Sequence, residues 1–386
     1  MYGVDWACEG LGERDSARRT VQHFQALERF FEDVSPDVVV PEVGLESLRS
    51  AAHLIGLARG TPVLFLFYTI FPNPLRLYVD RMEGPIAAPE DLRPLEPDER
   101  REVEDFVQAF TAAGTPIREH RETAVTGRRI RALGRHLAVK ALWDQDNEYL
   151  RPLRWARSQL AEQGRFRLAK ALCGPLPTEG RFVYFPLHVI DDYKIRKLVP
   201  HCADQAHLIH ELAWALPPGV ELVTKEHPMS IGRNPIGTLR RTVRPPNVRL
   251  VDPHTSSHEL IRRAAAVAVI GSTVGLEALL YRKPVLTLGR PFYSGFGLTV
   301  DVDPGPALAE AVPALLSFSP PEERLVRFLH AAMRRCEPGA PVLVDRSDRN
   351  AALLAQSLEG SAARELGRRA ATMPGLLPDR AAAKGG

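Results

Sequence analysis

The residues from Gly271 to Glu277 have the types and spacing needed to bind a phosphate and a sugar. Ser272 and Thr273 follow the apolar run 267–270, so their hydroxyls and the free N–H groups of a following helix point out of the sheet edge. Glu277 lies about one helical turn further along, where its carboxylate can accept hydrogen bonds from ribose or sugar hydroxyls. An ordinary helix cap followed by a solvated glutamate is the alternative interpretation.

A second candidate stretch follows the apolar run 220–224. Lys225 and His227 come next, and Pro228 stops strand pairing and fixes the turn. The imidazole of His227 is then held where it can donate to a phosphate oxygen, with the Lys225 ammonium nearby. A single strand–helix unit separates this turn from Ser272, so we expect both turns to close on one bound nucleotide.

The elements that position these residues indicate an α/β protein. Apolar runs such as 182–187, which ends at His188, are typical of parallel strands covered by helices. The same order of predicted elements occurs twice, at 38–67 and again at 267–288. In each stretch a strand is followed by a helix that contains Val-Gly-Leu-Glu and then by a strand that contains Pro-Val-Leu. Two doubly wound domains, whose ligands bind beyond the carboxyl ends of the strands, would give this internal similarity. Chance or the patterns common to all α/β proteins are the alternative explanation.

The predicted organisation has two domains and a tail. A Pro- and Gly-containing linker at 173–180 separates an N-terminal domain (1–175) from a C-terminal domain (176–345), and 346–386 is predicted to be a helix and a disordered tail. The N-terminal domain is predicted to begin with a helix, whereas an α/β domain commonly begins with a strand. An upstream strand–helix unit that is not part of this chain is therefore an open alternative. Its inserted helical region, 99–170, is rich in arginine, which indicates either a solvated face or contact with anionic lipid or a polyanionic acceptor.

Composition and charge narrow the class of protein. The chain has 386 residues, 45% of them hydrophobic, which is enough to bury a large core. A formal net charge of +3 is too small to indicate nucleic-acid binding. The four cysteines lack metal-ligand spacing, and the sequence has no signal-peptide pattern and no apolar run of about 20 residues. We therefore predict a cytoplasmic protein without structural zinc.

Several ordered motifs between residues 182 and 289 carry a resemblance to a known family. They are Tyr-Phe-Pro-Leu-His at 184–188, Asp-Gln at 204–205, Lys-Glu-His-Pro at 225–228, Pro-Asn-Val at 246–248, Gly-Ser-Thr-Val-Gly-Leu-Glu-Ala at 271–278 and Lys-Pro-Val at 283–285. As a set in this order they resemble the capsule polysaccharide biosynthesis family, which includes bacterial β-Kdo transferases. The family usually has glutamine where this chain has His188, and the similarity covers under a third of the chain.

The resemblance implies two facing Rossmann-like domains of the GT-B type, with a CMP-activated, Kdo-like sugar held by the C-terminal one. It implies a metal-independent glycosyltransferase of capsule biosynthesis that needs no cofactor and transfers the sugar to a glycan or glycolipid acceptor. We expect this protein to work in the cytoplasm, with peripheral contact at the inner face of the plasma membrane. The resemblance assigns nucleotide binding to His227, Pro228, Ser272 and Thr273, and residue chemistry adds His188, Lys225 and Glu277.

Sugar transfer also needs a carboxylate from the facing domain, acting as a base or a nucleophile. Glu42, Glu46 and Asp80 are the candidates, in that order. Asp80 ends the stretch 73–80, which is interpreted as a Pro-rich loop.

Other functions fit the same motifs. A nucleotide-sugar 2-epimerase or a CDP-glycerol-type phosphotransferase would use the same cleft and the same His-Pro turn. A non-catalytic component of a polysaccharide assembly or export complex would bind nucleotide at most, without turnover. The sequence leaves open the sugar, the acceptor, the linkage and the retaining or inverting outcome.

Overall fold

The computed structural model describes residues 11–113, 152–178 and 181–372, and also the isolated residues Asp5, Cys8, Arg131, Gly134, Arg135 and Ala138. The chain packs as two compact units, one formed by Met1–Phe106 and Val326–Gly386 and the other by Val107–Leu325. The domain boundaries inferred from composition, after residues 175 and 345, stay predictions. In the described ranges, no helix is long and apolar enough to cross a membrane.

Strands and helices alternate between residues 181 and 287, and runs of like elements lie on either side of this stretch. In chain order they are α1 (Glu13–Val34), α2 (Ser47–Ala58), β1 (Leu64–Tyr68), β2 (Leu75–Val79), α3 (Pro97–Ala113), α4 (Pro152–Lys170), β3 (Arg181–Pro186), α5 (Gln205–Ala215), β4 (Val220–Lys225), α6 (Ile236–Thr242), β5 (Val248–Leu250), α7 (Ser257–Arg263), β6 (Ala266–Val269), α8 (Thr273–Leu280), β7 (Val285–Thr287), β8 (Val300–Asp301), α9 (Leu308–Ser317), α10 (Glu322–Arg334) and α11 (Asp348–Thr372). The division between the two units falls within α3 and within α10.

In the unit that contains both chain ends, β1 and β2 form an antiparallel pair. The interpretation of 73–80 as a loop is therefore wrong for β2. Leu75 and Leu77 lie on one side of that strand and pack against Leu354 of α11, which is the two-residue period of a strand with one buried face. The predicted strand at 38–40 is reduced to a single parallel bridge between Val39 and Val63, since the neighbouring Pro41 has no N–H to donate.

The unit Val107–Leu325 is built on a six-stranded sheet of order β5-β4-β3-β6-β7-β8, in which every neighbouring pair is parallel. The predicted α/β fold with a parallel sheet is confirmed. All four residues of β6 are buried, as expected for a strand covered by helices on both faces. A hydrophobic cluster of this unit joins strands β3, β4, β6 and β7 to helices α5 and α9.

Residues 114–130, 132–133, 136–137 and 139–151 of the arginine-rich segment lie outside the described residues. The role of the segment as a face for anionic partners stays a prediction. Within α4, Arg165 Nε donates to the carbonyl oxygen of Gly232 at 2.7 Å. This arginine therefore stabilises the loop that follows β4.

Candidate functional site

The carboxyl ends of β3 and β6 lie where the strand order of the sheet reverses direction. From β3 the chain continues to β4 and β5 on one side, and it then returns to β6 on the other side of β3. Ligands of doubly wound sheets bind in the crevice at this switch point. His188 follows β3 and Ser272 follows β6, so the structure brings these two predicted residues to one edge.

His188 is a buried connection between the two strand ends. Its Nε2 accepts a hydrogen bond from the N–H of Gly271 at 3.4 Å. Its backbone N–H donates to Gln205 Oε1 at 2.7 Å, and its carbonyl oxygen accepts from Gln205 Nε2 at 3.3 Å. Burial, reinforced by the charges of Lys194 and His227, lowers the pKa of His188 to about 3, so the imidazole is neutral at physiological pH. Direct ligand binding by His188 stays a prediction.

Ser272 caps α8, as its sequence position predicts. The N–H of Val274 donates to Ser272 Oγ at 3.2 Å, and Thr273 is the first residue of the helix. The hydroxyl of Tyr293 donates to the carbonyl oxygen of Ser272 at 2.6 Å. The turn is therefore fixed from both sides, with the N-terminal N–H groups of α8 at the sheet edge.

His227 is held at the beginning of a short 3-10 turn, Pro228–Ser230, with Pro228 as its first residue. The N–H of Met229 donates to His227 Nδ1 at 3.1 Å, which assigns the proton to Nε2. Burial, with a contribution from Lys225, lowers the pKa of His227 to about 4. The neutral ring is therefore a hydrogen-bond donor through Nε2, the role that the sequence predicts for it.

Lys225 and Glu277 are both buried, with 5% and 6% of their surfaces exposed. Lys225 Nζ donates to the carbonyl oxygen of Thr255 at 2.6 Å. Burial lowers the pKa of Lys225 to about 8, and the negative charges of Glu277 and Asp252 act in the opposite direction. The interpretation of Glu277 as a solvated helix residue is therefore wrong. Hydrogen bonding of Glu277 to a sugar stays a prediction.

The three candidate carboxylates of the other unit all pair with arginine. Glu42 and Glu46 both lie within 3.2 Å of Arg49, but the Glu42 side chain is 77% exposed and that of Glu46 only 11%. Asp80 accepts a hydrogen bond from the N–H of Val63 at 3.0 Å and forms an ion pair with Arg369 of α11. Asp80 thus has a structural role at the end of β2, whereas the catalytic roles of all three stay predictions.

Three side chains around the switch point were missed as candidates from the sequence. Gln205 belongs to the Asp-Gln motif, and its position after β3 in the family pattern was the available signal. Tyr293 approaches α8 because Gly275 has no side chain, and a glycine inside a helix is a usable signal of close packing. Lys194 Nζ donates to the carbonyl oxygen of Gly271 at 3.3 Å, and no pattern in the sequence indicated this contact.

The fold defines an α/β protein with a parallel sheet, and the switch point of this sheet is its candidate ligand site. A family model described as "Capsule polysaccharide biosynthesis protein" matches residues 117–314, about half of the chain. The chain belongs to this family, as the motifs predicted.

Individual relatives match shorter stretches. The chain is similar to Protein FixF of Sinorhizobium fredii, with 34% identity over 131 residues, covering 33% of this chain and 31% of that protein. It is also similar to the capsule polysaccharide modification protein LipA of Neisseria meningitidis, with 29% identity over 102 residues, covering 26% of this chain and 14% of that protein. The matches thus span less than a third of each of these curated relatives.

Among solved structures, the chain is similar to KpsC of Thermosulfurimonas dismutans, a beta Kdo 2,4 transferase. The TM-score is 0.42 at 16% identity, and the match covers 77% of this chain and 79% of that one.

Proposed function

We propose that this protein is a glycosyltransferase of capsule or surface polysaccharide biosynthesis. Its donor is a nucleotide sugar, CMP-activated and Kdo-like, and its acceptor is a glycan or glycolipid. Membership of the capsule polysaccharide biosynthesis family supports the pathway. The main support for a nucleotide site is the geometry at the switch point of the sheet, where the His188–Gly271 hydrogen bond lies next to the beginning of α8.

The residues of the site suit a donor whose leaving group is a phosphate. When the sugar is transferred, the bond between its anomeric carbon and the phosphate oxygen breaks, and the phosphate keeps the electron pair. The Nε2–H of His227 and the N-terminal N–H groups of α8 can neutralise the charge that develops there. The acceptor hydroxyl bonds to the same carbon and loses its proton to a carboxylate, for which Glu42 and Glu46 are the first candidates.

Nucleotide titration of a histidine variant tests the site. His227→Ala removes the donor, and we expect CMP to bind about 10- to 100-fold more weakly, as for a lost hydrogen bond to a charged group. His207→Ala on α5 is the matched control, because that side chain is 66% exposed and pairs with Glu211. Equal CMP affinities in both variants and the wild type, measured by calorimetry, would refute the assignment.

Turnover separates the proposed activity from the other functions. Release of CMP from a CMP-sugar that depends on a glycan acceptor supports a glycosyltransferase. Solvent isotope exchange into a nucleotide sugar without any acceptor would instead identify an epimerase. Binding of CMP without turnover of any donor would identify a non-catalytic component.

A further inference from the structure

The loop between β3 and α5 places a lysine at the beginning of α8. Lys194 Nζ donates a hydrogen bond to the carbonyl oxygen of Gly271 at 3.3 Å. Gly271 directly precedes Ser272, whose hydroxyl caps α8. The lysine ammonium therefore lies beside the N-terminal end of α8 and the carboxyl end of β6, at the switch point of the sheet.

The backbone of this loop is fixed by its own contacts. The N–H of Lys194 donates to Asp192 Oδ1 at 3.0 Å, and the next residue, Ile195, is buried in the core of its unit. Asp191 forms an ion pair with Arg233 in the segment that follows β4. Because the backbone is held while the lysine side chain is long and flexible, the ammonium can exchange the Gly271 carbonyl for another acceptor without rearranging the loop.

Lys194 and His188 both contact the backbone of Gly271, one at its carbonyl oxygen and the other at its N–H. Lys194 and His227 also contribute, after burial, to the lowered pKa of His188. The two groups come from different loops, one after β3 and one after β4. A ligand at the switch point thus meets a cation and a neutral N–H donor that approach from separate strand ends.

We infer that Lys194 binds the phosphate group of the nucleotide at the switch point, while other residues hold its base and ribose. This inference rests on the proposed function. A lysine ammonium is a compact point charge well suited to a phosphate oxygen. The N–H groups at the beginning of α8 favour the same negative charge, so the two features act on one group of the ligand.

A competing interpretation makes the Lys194–Gly271 hydrogen bond a simple anchor of the loop. An anchor would affect thermal stability, or the binding of every ligand at the site, whereas a phosphate-binding lysine affects only phosphorylated ligands. CMP and cytidine differ by a single phosphate group. Comparing their affinities therefore separates the two interpretations.

The experiment titrates the full chain with CMP and with cytidine by calorimetry and records the Tm of each variant. We expect Lys194→Gln to weaken CMP binding about 10- to 100-fold and to leave the cytidine affinity and the Tm unchanged. Lys194→Arg should recover most of the CMP affinity because it keeps the positive charge. Lys197→Gln, three residues further along the same loop, is the matched control and should change neither affinity.

The outcomes distinguish this inference from the proposed function. Equal losses for CMP and cytidine, or an unchanged CMP affinity in Lys194→Gln, overturn the role of Lys194 and leave the proposed function in place. A wild type that binds none of CMP, CDP and UDP contradicts the proposed nucleotide donor. In that case the role of Lys194 is tested with inorganic phosphate, whose phosphorus NMR signal is recorded with the wild type and with Lys194→Gln. Broadening of the phosphate signal by the wild type alone supports the inference. Equal broadening by both proteins, or broadening by neither, overturns it.

Discussion

His188 accepts a hydrogen bond from the N–H of Gly271 at 3.4 Å, and this contact joins the ends of β3 and β6 across 83 positions of the chain. An accepting ring nitrogen carries no proton, so the contact requires neutral His188. Burial provides this state by lowering the pKa of His188 to about 3. Protonation would remove the acceptor at the switch point.

The first prediction is a pH dependence of stability. Between pH 3 and 6.5 the unfolded chain binds a proton at His188 that the folded chain does not, so the free energy of unfolding falls as the pH drops below 6.5. Each buried histidine with a lowered pKa reduces the free energy of unfolding by up to about 1.4 kcal/mol per pH unit in this window. His188→Gln removes one contribution, and we expect urea unfolding at pH 7, 6 and 5 to show a shallower slope. An identical slope in both proteins contradicts a neutral, buried His188.

The second prediction concerns two buried charged residues, Lys225 and Glu277. The negative charge of Glu277 supports the charged form of Lys225 against burial. Glu277→Gln removes that charge, so at pH 7 we expect the free energy of unfolding to fall by about 1–3 kcal/mol. The loss should shrink as the pH rises past 8, because wild-type Lys225 then also loses its proton.

A nucleotide titration of the same variant tests the sugar-binding role that the sequence predicts for Glu277. Weaker binding of a CMP-sugar, compared with CMP alone, supports hydrogen bonding of the carboxylate to the sugar. A variant that melts and binds like the wild type would show that neither role is correct.

The third prediction separates the three candidate carboxylates. Asp80→Asn weakens the contacts with Arg369 and with the N–H of Val63, so we expect a lower Tm and an unchanged turnover rate per folded molecule. Glu42→Gln and Glu46→Gln weaken the ion pairs that these two glutamates form with Arg49. If either glutamate is the base or nucleophile, kcat falls with that variant at a near-normal Tm. Loss of kcat in Asp80→Asn alone, with normal stability, would instead make Asp80 the first candidate for the catalytic carboxylate.

The parallel sheet and its polar strand ends were predictable because they depend on local patterns. The run at β6 is apolar on both faces, and Ser272 precedes a helix, so strand, cap and helix follow from a few neighbouring residues. His227 was predictable for the same reason, since Pro228 fixes the turn next to it.

The features that sequence analysis missed depend on contacts between distant positions. The sequence of β2 alone is typical of a loop, and its strand becomes evident only from the packing of Leu75 and Leu77 against Leu354, far along the chain. The burial of Glu277 and the contact of Lys194 with Gly271 are set by the packing of the sheet and its loops. No periodicity within a single segment carries this information.

The fourth prediction concerns the arginine-rich segment, in which Arg128 and Arg129 lie outside the described residues. If it contacts an anionic surface, replacing Arg128, Arg129 and Arg131 by Gln should reduce co-sedimentation with anionic liposomes at low salt, where screening is weak. Neutral liposomes provide the control for non-electrostatic binding. Equal sedimentation of wild type and variant would show that these arginines form a solvated face.

The last prediction concerns Gly275, which lies inside α8 beside Tyr293. A Cβ atom at this position would lie 2.0 Å from the Tyr293 hydroxyl and 3.0 Å from Val269 Cγ2, so Gly275→Ala forces the tyrosine away from the Ser272 carbonyl. Alanine normally stabilises a helix by up to about 1 kcal/mol relative to glycine. Gly367→Ala in α11, where nothing lies within 4 Å, should show this gain. We expect Gly275→Ala instead to lower the free energy of unfolding by about 1–3 kcal/mol, as for overpacking.

Tyr293→Phe removes the closest clashing atom, so the same alanine should cost less in that background, by at least about 0.5 kcal/mol in a double-mutant cycle. If Gly275→Ala stabilises the protein as much as Gly367→Ala does, Tyr293 does not pack against α8 as described.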